Sequence, residues 1–162
     1  MKNDSSVPQP SSALLEKAAI VRHCAVALGQ TTDEQRRIAL LSMADALDVR
    51  AKDIAKANLA DLEKARNEGL NESLISRLEL NEKKLQASIE GVRQVAFLED
   101  PIGLSHFKRE LNDGLVLERV TVPLGVLGVI FEARPDAVIQ IASLAIKSGN
   151  GAILKGGREA SE

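Results

Sequence analysis

Two groups of residues near the C-terminal end of this chain are equipped for chemistry. The first is Phe131-Glu132-Ala133-Arg134-Pro135-Asp136, and the second is Lys155-Gly156-Gly157-Arg158-Glu159. In the second, Lys155 and Arg158 are cationic donors suited to a ribose or a phosphate, and the glycines beside them let a ligand approach the backbone closely. A solvated strand end is the alternative use. In the first, Arg134 precedes a proline and is therefore pushed towards extended backbone. Its guanidinium can then clamp a carboxylate or phosphate in two-point fashion, or pair locally with Glu132 while Asp136 caps a helix. Two familiar phosphate loops are absent. Gly125 and Gly128 lack the first glycine pair of the dinucleotide fingerprint. In Gly149 to Lys155 a leucine stands where a Walker loop needs its second glycine, and Gly156 replaces the magnesium-binding hydroxyl.

Other reactive side chains read as structural. Cys24 lies mid-helix without a helix N-terminus to lower its pKa, and is expected in the core. His23 projects from another helical face. His106 stands by itself in a strand-like segment, so no metal site is expected. Arg36-Arg37 and Lys83-Lys84 read as solvated helix faces.

The elements that must position the two groups follow from pattern. Residues 1–12 are polar, contain Pro and Ser, and read as a disordered leader. A helix from about Ala13 to Leu28 stops at Gly29. A second begins at Thr32, which with Gln35 forms a capping box, and carries Ile38, Leu41, Ala44 and Leu47 on one face. A third spans about Arg50 to Glu68 and ends at Gly69. A short helix from Glu72 to Leu78 is capped by Asn71, and a fifth, capped by Asn81, runs to about Phe97 with Leu85, Ile89, Val92 and Ala96 at helical spacing. After the breaker Asp100-Pro101-Ile102-Gly103, two strand-like runs (Phe107 to Leu111 and Leu115 to Val122) flank the hairpin signal Asn112-Asp113-Gly114. Pro123 ends that ladder. Gly125 to Phe131 is continuously apolar, as a strand buried on both faces requires. A helix from Asp136 to Lys147 and a strand from Gly151 to Leu154 complete a βαβ unit, whose right-handed crossover sets its strands side by side. Both chemical groups then fall at strand ends, where open α/β sheets bind ligands.

At 162 residues, with 44% hydrophobic and 27% charged residues, the chain has the composition of one globular domain. A net charge of -2 and three phenylalanines as its only aromatics give no reason to expect nucleic acid or an anionic membrane. The N-terminus lacks the apolar segment of a secretory signal, no stretch is long and apolar enough to span a bilayer, and one cysteine permits no intrachain disulfide. A reducing, cytoplasmic setting is expected.

Val122 to Asp136, with its Phe-Glu-Ala-Arg-Pro turn, and Leu144 to Glu159, with its Lys-Gly-Gly end, resemble the gamma-glutamyl phosphate reductase family of the aldehyde dehydrogenase superfamily. The similarity runs through nearly all of the chain after about Ala13. The resemblance implies an α/β fold: a helical half, a hairpin at about 105–122 serving oligomerisation, and the first βαβ of a Rossmann-like NADP-binding domain in residues 13–162. It implies NADPH-dependent reduction of L-glutamyl 5-phosphate to glutamate 5-semialdehyde in proline biosynthesis, by a homo-oligomer with functional contact to glutamate 5-kinase. It places Ile130, Phe131 and Glu132 along the nicotinamide side of the cleft, Lys155 at the adenosine ribose, Gly157 against the cofactor, and Arg158 at the 2′-phosphate. Arg134 would hold a substrate or cofactor phosphate. The family's nucleophilic cysteine belongs to a downstream catalytic domain with no counterpart here, so the chain is expected to be an N-terminal part without turnover of its own. Two other readings stay open: a relative using a different acyl donor, and a non-catalytic module offering its helices or hairpin to a partner.

Overall fold

The computed structural model describes residues 10–159. Six helices and four strands are arranged as α1 (Ser12–Gly29), α2 (Asp33–Val49), α3 (Ala51–Asn67), α4 (Glu72–Leu78), α5 (Glu82–Ala96), β1 (Ser105–Asn112), β2 (Leu115–Val120), β3 (Val126–Ile130), α6 (Pro135–Lys147) and β4 (Gly151–Lys155). Most of the leader, residues 1–9, lies outside the described residues. Its last two positions start α1: Ser11 is the N-cap, in extended backbone, and Ser12 the first helical residue. The other caps are those expected. Thr32 and Gln35 form a complete capping box, and Asn71 and Asn81 accept from Leu74 N and Lys84 N.

The main core lies between α2, α5 and α6. Leu85, Ile89, Val92 and Ala96 of α5 meet Leu40 and Ala44 of α2 and Ile139 of α6. The α5 stripe is the one its spacing predicts. On α2 the expected stripe is shifted: Leu40 and Ala44 are buried, whereas Ile38 is 54% exposed. The buried line continues to Arg36, only 2% exposed, so the expectation of a solvated Arg36 is also wrong. A cation at the head of the inward face concealed its true phase. Two of its guanidinium nitrogens are paired, one with Asp100 at 2.7 Å and one with the carbonyl of Thr31, while its buried Nε has no partner among the described residues.

A second buried cation completes this junction. Lys147, at the end of α6, is 3% exposed. Its Nζ donates to Asp33 at 2.6 Å and to the carbonyl of Ala96 at 3.3 Å. One chain of charges thus joins the start of α2, the end of α5, the end of α6 and the loop leaving α5. Nearby, buried Asn58 donates to Leu78 O and accepts from Leu80 N, both at 2.8 Å, which fixes α3 against the α4–α5 link.

β1 and β2 pair antiparallel around a turn at Asp113 and Gly114, and the ladder ends at Val120, before Pro123. Every residue of both strands is exposed. β3 and β4 form a separate parallel pair, with Val126 opposite Gly151 and Ile130 opposite Lys155. The side-by-side placement is as expected, but burial of β3 on both faces is not. Its residues are half-buried or exposed, and Ile130 is 83% exposed, because a sheet of two strands leaves much of its surface open. β4 is covered on one side by α1 at unusually close range. A Cβ on Gly151 would lie 2.9 Å from Val21 Cγ1 and 3.0 Å from Ala25 Cβ. This contact also overturns the expectation for Cys24, which is exposed. α1 is apolar around much of its circumference, so its sequence did not choose a face; β4 chose the one bearing Val21 and Ala25.

Two outcomes test the junction. Asp33→Asn leaves Lys147 buried without a countercharge, and a loss of about 3 kcal/mol is expected in urea unfolding, with Lys147→Met costing clearly less. On the surface, Arg93 of α5 reaches Asp45 at 3.2 Å and Asp48 at 2.8 Å, both in α2. Hydrogen bonds from Arg93, and then from Gln86, hold the Asp48 carboxyl below its ordinary 3.8. Because the folded value is depressed, this contribution to stability is present above the ordinary value and is lost as pH falls through the folded one. In an NMR titration, Arg93→Met should bring the Asp48 carboxyl back towards its ordinary range.

Candidate functional site

The parallel register decides what meets what at the carboxyl ends of the strands. Ile130 and Lys155 are direct neighbours, and the ladder extends one step as Phe131 N donates to Lys155 O at 3.1 Å. Ile130, Glu132, Lys155 and Arg158 are exposed there, while Phe131 and Gly157 are half-buried. Lys155 Nζ donates to the carbonyl of Gly156 at 2.7 Å. The root of this edge is fixed by Asn150, which is 5% exposed. Its Oδ1 accepts from Gly125 N at 2.8 Å, and Gly151 N donates to Gly125 O at the same distance. The two strands therefore start together and finish together.

A clasp joins their far ends. Ala133 has φ of 47°, the left-handed region that a side chain enters at a cost of roughly 1–2 kcal/mol. It is the only such non-glycine among the described residues. Its N–H donates to the carboxylate of Glu159 at 2.5 Å. The carboxylate lies over Gly157, so a Cβ there would have to displace it. In the sequence Glu159 and Ala133 stand only as motif members. The signal available was a carboxylate four residues beyond the strand-end lysine, and nothing in the sequence said which N–H it would find.

Phe131 and Arg134, three residues apart, line different clefts. Phe131 and Gly156 line an apolar cleft of about 480 Å³ that continues over Leu154 and Pro135 to Ile54 and Asn58 of α3. Arg134 lines another cleft, of similar volume, with Arg77, Glu79, Lys84 and Asp136. The left-handed turn at Ala133 redirects the chain between the two. Arg134 pairs with Asp136 at 3.5 Å and is itself the N-cap of α6, making no side-chain cap bond. Asp136 sits inside the first turn, so it is an ion-pair partner rather than the cap. Among the described residues, no group of three or more His, Cys, Asp or Glu is placed to hold a metal ion.

No protein-family model matches the chain. Curated proteins and solved structures do. Gamma-glutamyl phosphate reductase of Prochlorococcus marinus (strain MIT 9303) is 63% identical over 161 residues, which is 99% of this chain and 37% of the relative. The Synechococcus sp. (strain CC9605) protein of the same name is 64% identical over 156 residues, 96% of this chain and 36% of the relative. This chain is a relative of the gamma-glutamyl phosphate reductases. The crystal structure of gamma-glutamyl phosphate reductase from Saccharomyces cerevisiae superposes with a TM-score of 0.89 at 44% identity, covering 94% of this chain and 38% of that one. The Thermotoga maritima reductase gives 0.86 at 41% identity, covering 91% and 36%. The chain thus spans little more than a third of the length of its curated relatives, while its α/β fold is that of the solved reductases over nearly all of its own residues.

The clasp gives a direct test. Ala133→Val, placing a β-branched residue at positive φ, is expected to destabilise the chain by at least about 1 kcal/mol in thermal unfolding. Glu159→Ala should speed exchange of the Ala133 amide hydrogen while leaving that of Gly125, held by Asn150, unchanged.

Proposed function

We propose that this chain supplies the strand-end cofactor edge of an enzyme reducing L-glutamyl 5-phosphate to L-glutamate 5-semialdehyde with NADPH, in proline biosynthesis in the cytoplasm. The observation that carries the reading is the 63% identity to gamma-glutamyl phosphate reductase along 161 residues, which include both strand-end motifs. The local chemistry fits a phosphorylated nicotinamide dinucleotide. Lys155 and Arg158 are exposed cations at the carboxyl end of a parallel strand, suited to ribose hydroxyls and phosphate oxygens. Gly156 and Gly157 add no side chains of their own to that edge. Arg158 in particular suits a 2′-phosphate, because a carboxylate at that point would favour the bare ribose. Ile130, Phe131 and Glu132, across the register from Lys155, would flank the nicotinamide. The cofactor, when bound, supplies the hydride; the protein residues hold and orient it.

The acyl-transfer half of such a reaction needs a thiolate. The chain's one cysteine, Cys24, is on α1, away from the strand-end edge. The hairpin is the natural oligomerisation element in this reading. Its exposed Phe107, Leu111, Leu115 and Leu117 stand on a two-stranded ribbon that is marginal unless something packs against it.

Two measurements test the reading. Titrated into the 162-residue chain, NADPH should quench or enhance its own fluorescence and bind more tightly than NADH. Arg158→Ala should remove that preference, by about tenfold in affinity, without changing NADH binding. Equal binding of the two cofactors before and after the substitution would overturn the NADP assignment. In a reductase assay the same chain should show no turnover.

A further inference from the structure

A trough lies between the start of α6, α5 and the α4–α5 link, charged at one end and largely apolar along α5, and it shares no lining residue with the cleft under Phe131. Two hollows of about 480 and 380 Å³ share Lys84 and Asp136 among their walls, which makes them adjoining parts of one trough. Arg77, Lys84 and Arg134 bring positive charge to it, and Asp136, Glu79 and Gln140 add acceptors. The acidic group is oriented. Asp136 Oδ2 accepts from Arg134 at 3.5 Å and from Gln140 Nε2 at 3.3 Å. Lys84 is oriented too, its Nζ donating to the carbonyls of Glu79 at 2.6 Å and Ser76 at 3.2 Å. Arg134, with 57% of its side chain exposed, keeps most of its donors for a ligand.

We propose that this trough seats the α-amino-acid head of the substrate, with Arg134 and Lys84 towards the α-carboxylate and Asp136 towards the α-ammonium. The assignment rests on the proposed reduction of a glutamyl phosphate and adds the residues that recognise its amino-acid end. The mixture of signs is what selects the ligand. A bare phosphate would meet the carboxylates of Asp136 and Glu79 as well as the cations, whereas a zwitterion satisfies both kinds of charge at once. Arg134 lies two residues beyond Glu132, so a substrate held here is close in the chain to the end of β3.

The test is an amide NMR titration of the 162-residue chain with L-glutamate as probe. Shifts are expected at Lys84, Arg134, Asp136 and Gln140. Glutarate, which lacks the ammonium, and 4-aminobutyrate, which lacks the α-carboxylate, should each bind at least about tenfold more weakly. Asp136→Asn should abolish the discrimination between L-glutamate and glutarate, and Arg134→Gln should weaken L-glutamate by about tenfold. Glutarate binding as well as L-glutamate, shifts confined to other residues, or the same pattern produced equally well by inorganic phosphate would each overturn the proposal. An NADPH titration of the same sample keeps the two readings apart. Shifts at Lys155 and Arg158 with none in the trough on adding L-glutamate would sink the amino-acid seat and leave the cofactor edge standing. The reverse pattern would sink the cofactor edge alone.

Discussion

Burial of two cations at one junction is the constraint on which the rest of the molecule depends. Arg36 and Lys147 are almost fully removed from water, and a cation there is tolerable only while its carboxylate and carbonyl partners stay in place. Those partners, Asp33, Asp100, Thr31 and Ala96, come from the start of α2, the loops around it and the end of α5. The hydrophobic contacts of α2, α5 and α6 can be satisfied with some sliding, because dispersion and burial are not directional. Charged hydrogen bonds cannot. Lys147 therefore fixes where α6 ends, and Asn150 takes over three residues later, fixing where β4 begins.

From that origin the strand-end chemistry is assembled by backbone bonds rather than by packing. The pair β3–β4 is mostly half-buried, and its register is held at one end by Asn150 and at the other by Phe131 N on Lys155 O and Ala133 N on Glu159. The strained backbone of Ala133 sits at the fork between the edge carrying Lys155 and the trough carrying Arg134. Strain of this kind persists where surrounding bonds over-determine it, and here it lies between Phe131 and Arg134, which line different clefts. A pair of strands this open and a hairpin with no buried residue also leave a large apolar surface uncovered, as the exposures of Leu124, Val122 and Ile130 show. Surfaces of that kind ordinarily meet another chain or further structure.

Much of the secondary structure was legible because the signals are local. The capping asparagines and the Thr32–Gln35 box act within one turn, Gly69 and Gly149 terminate helices through their own φ, and the α5 stripe at Leu85, Ile89, Val92 and Ala96 keeps its helical period although Ser88 is buried beside it. Reading failed where an assignment needed a partner. Arg36 looked solvated because Asp100 is 64 positions away. Cys24 looked buried because α1 is apolar on several sides, and only β4 could select among them. The β3 run looked doubly covered because an apolar strand records what it tolerates rather than what it touches.

The motifs at Phe131 to Asp136 and Lys155 to Glu159 were likewise visible as motifs, and their kinship with the gamma-glutamyl phosphate reductases was carried by residue identities alone. The sequence by itself determined the order and kind of the elements, the positions of their caps and breakers, and which side chains would stand at strand ends, since each depends on neighbours within a turn or on the pitch of one element. Only the tertiary structure decided that Arg134 leaves the company of Lys155, that Glu159 closes on Ala133, and that Lys84 joins the trough. Those relations involve residues 21 positions apart or more, and they are settled by long-range hydrogen bonds and packing that no local pattern encodes.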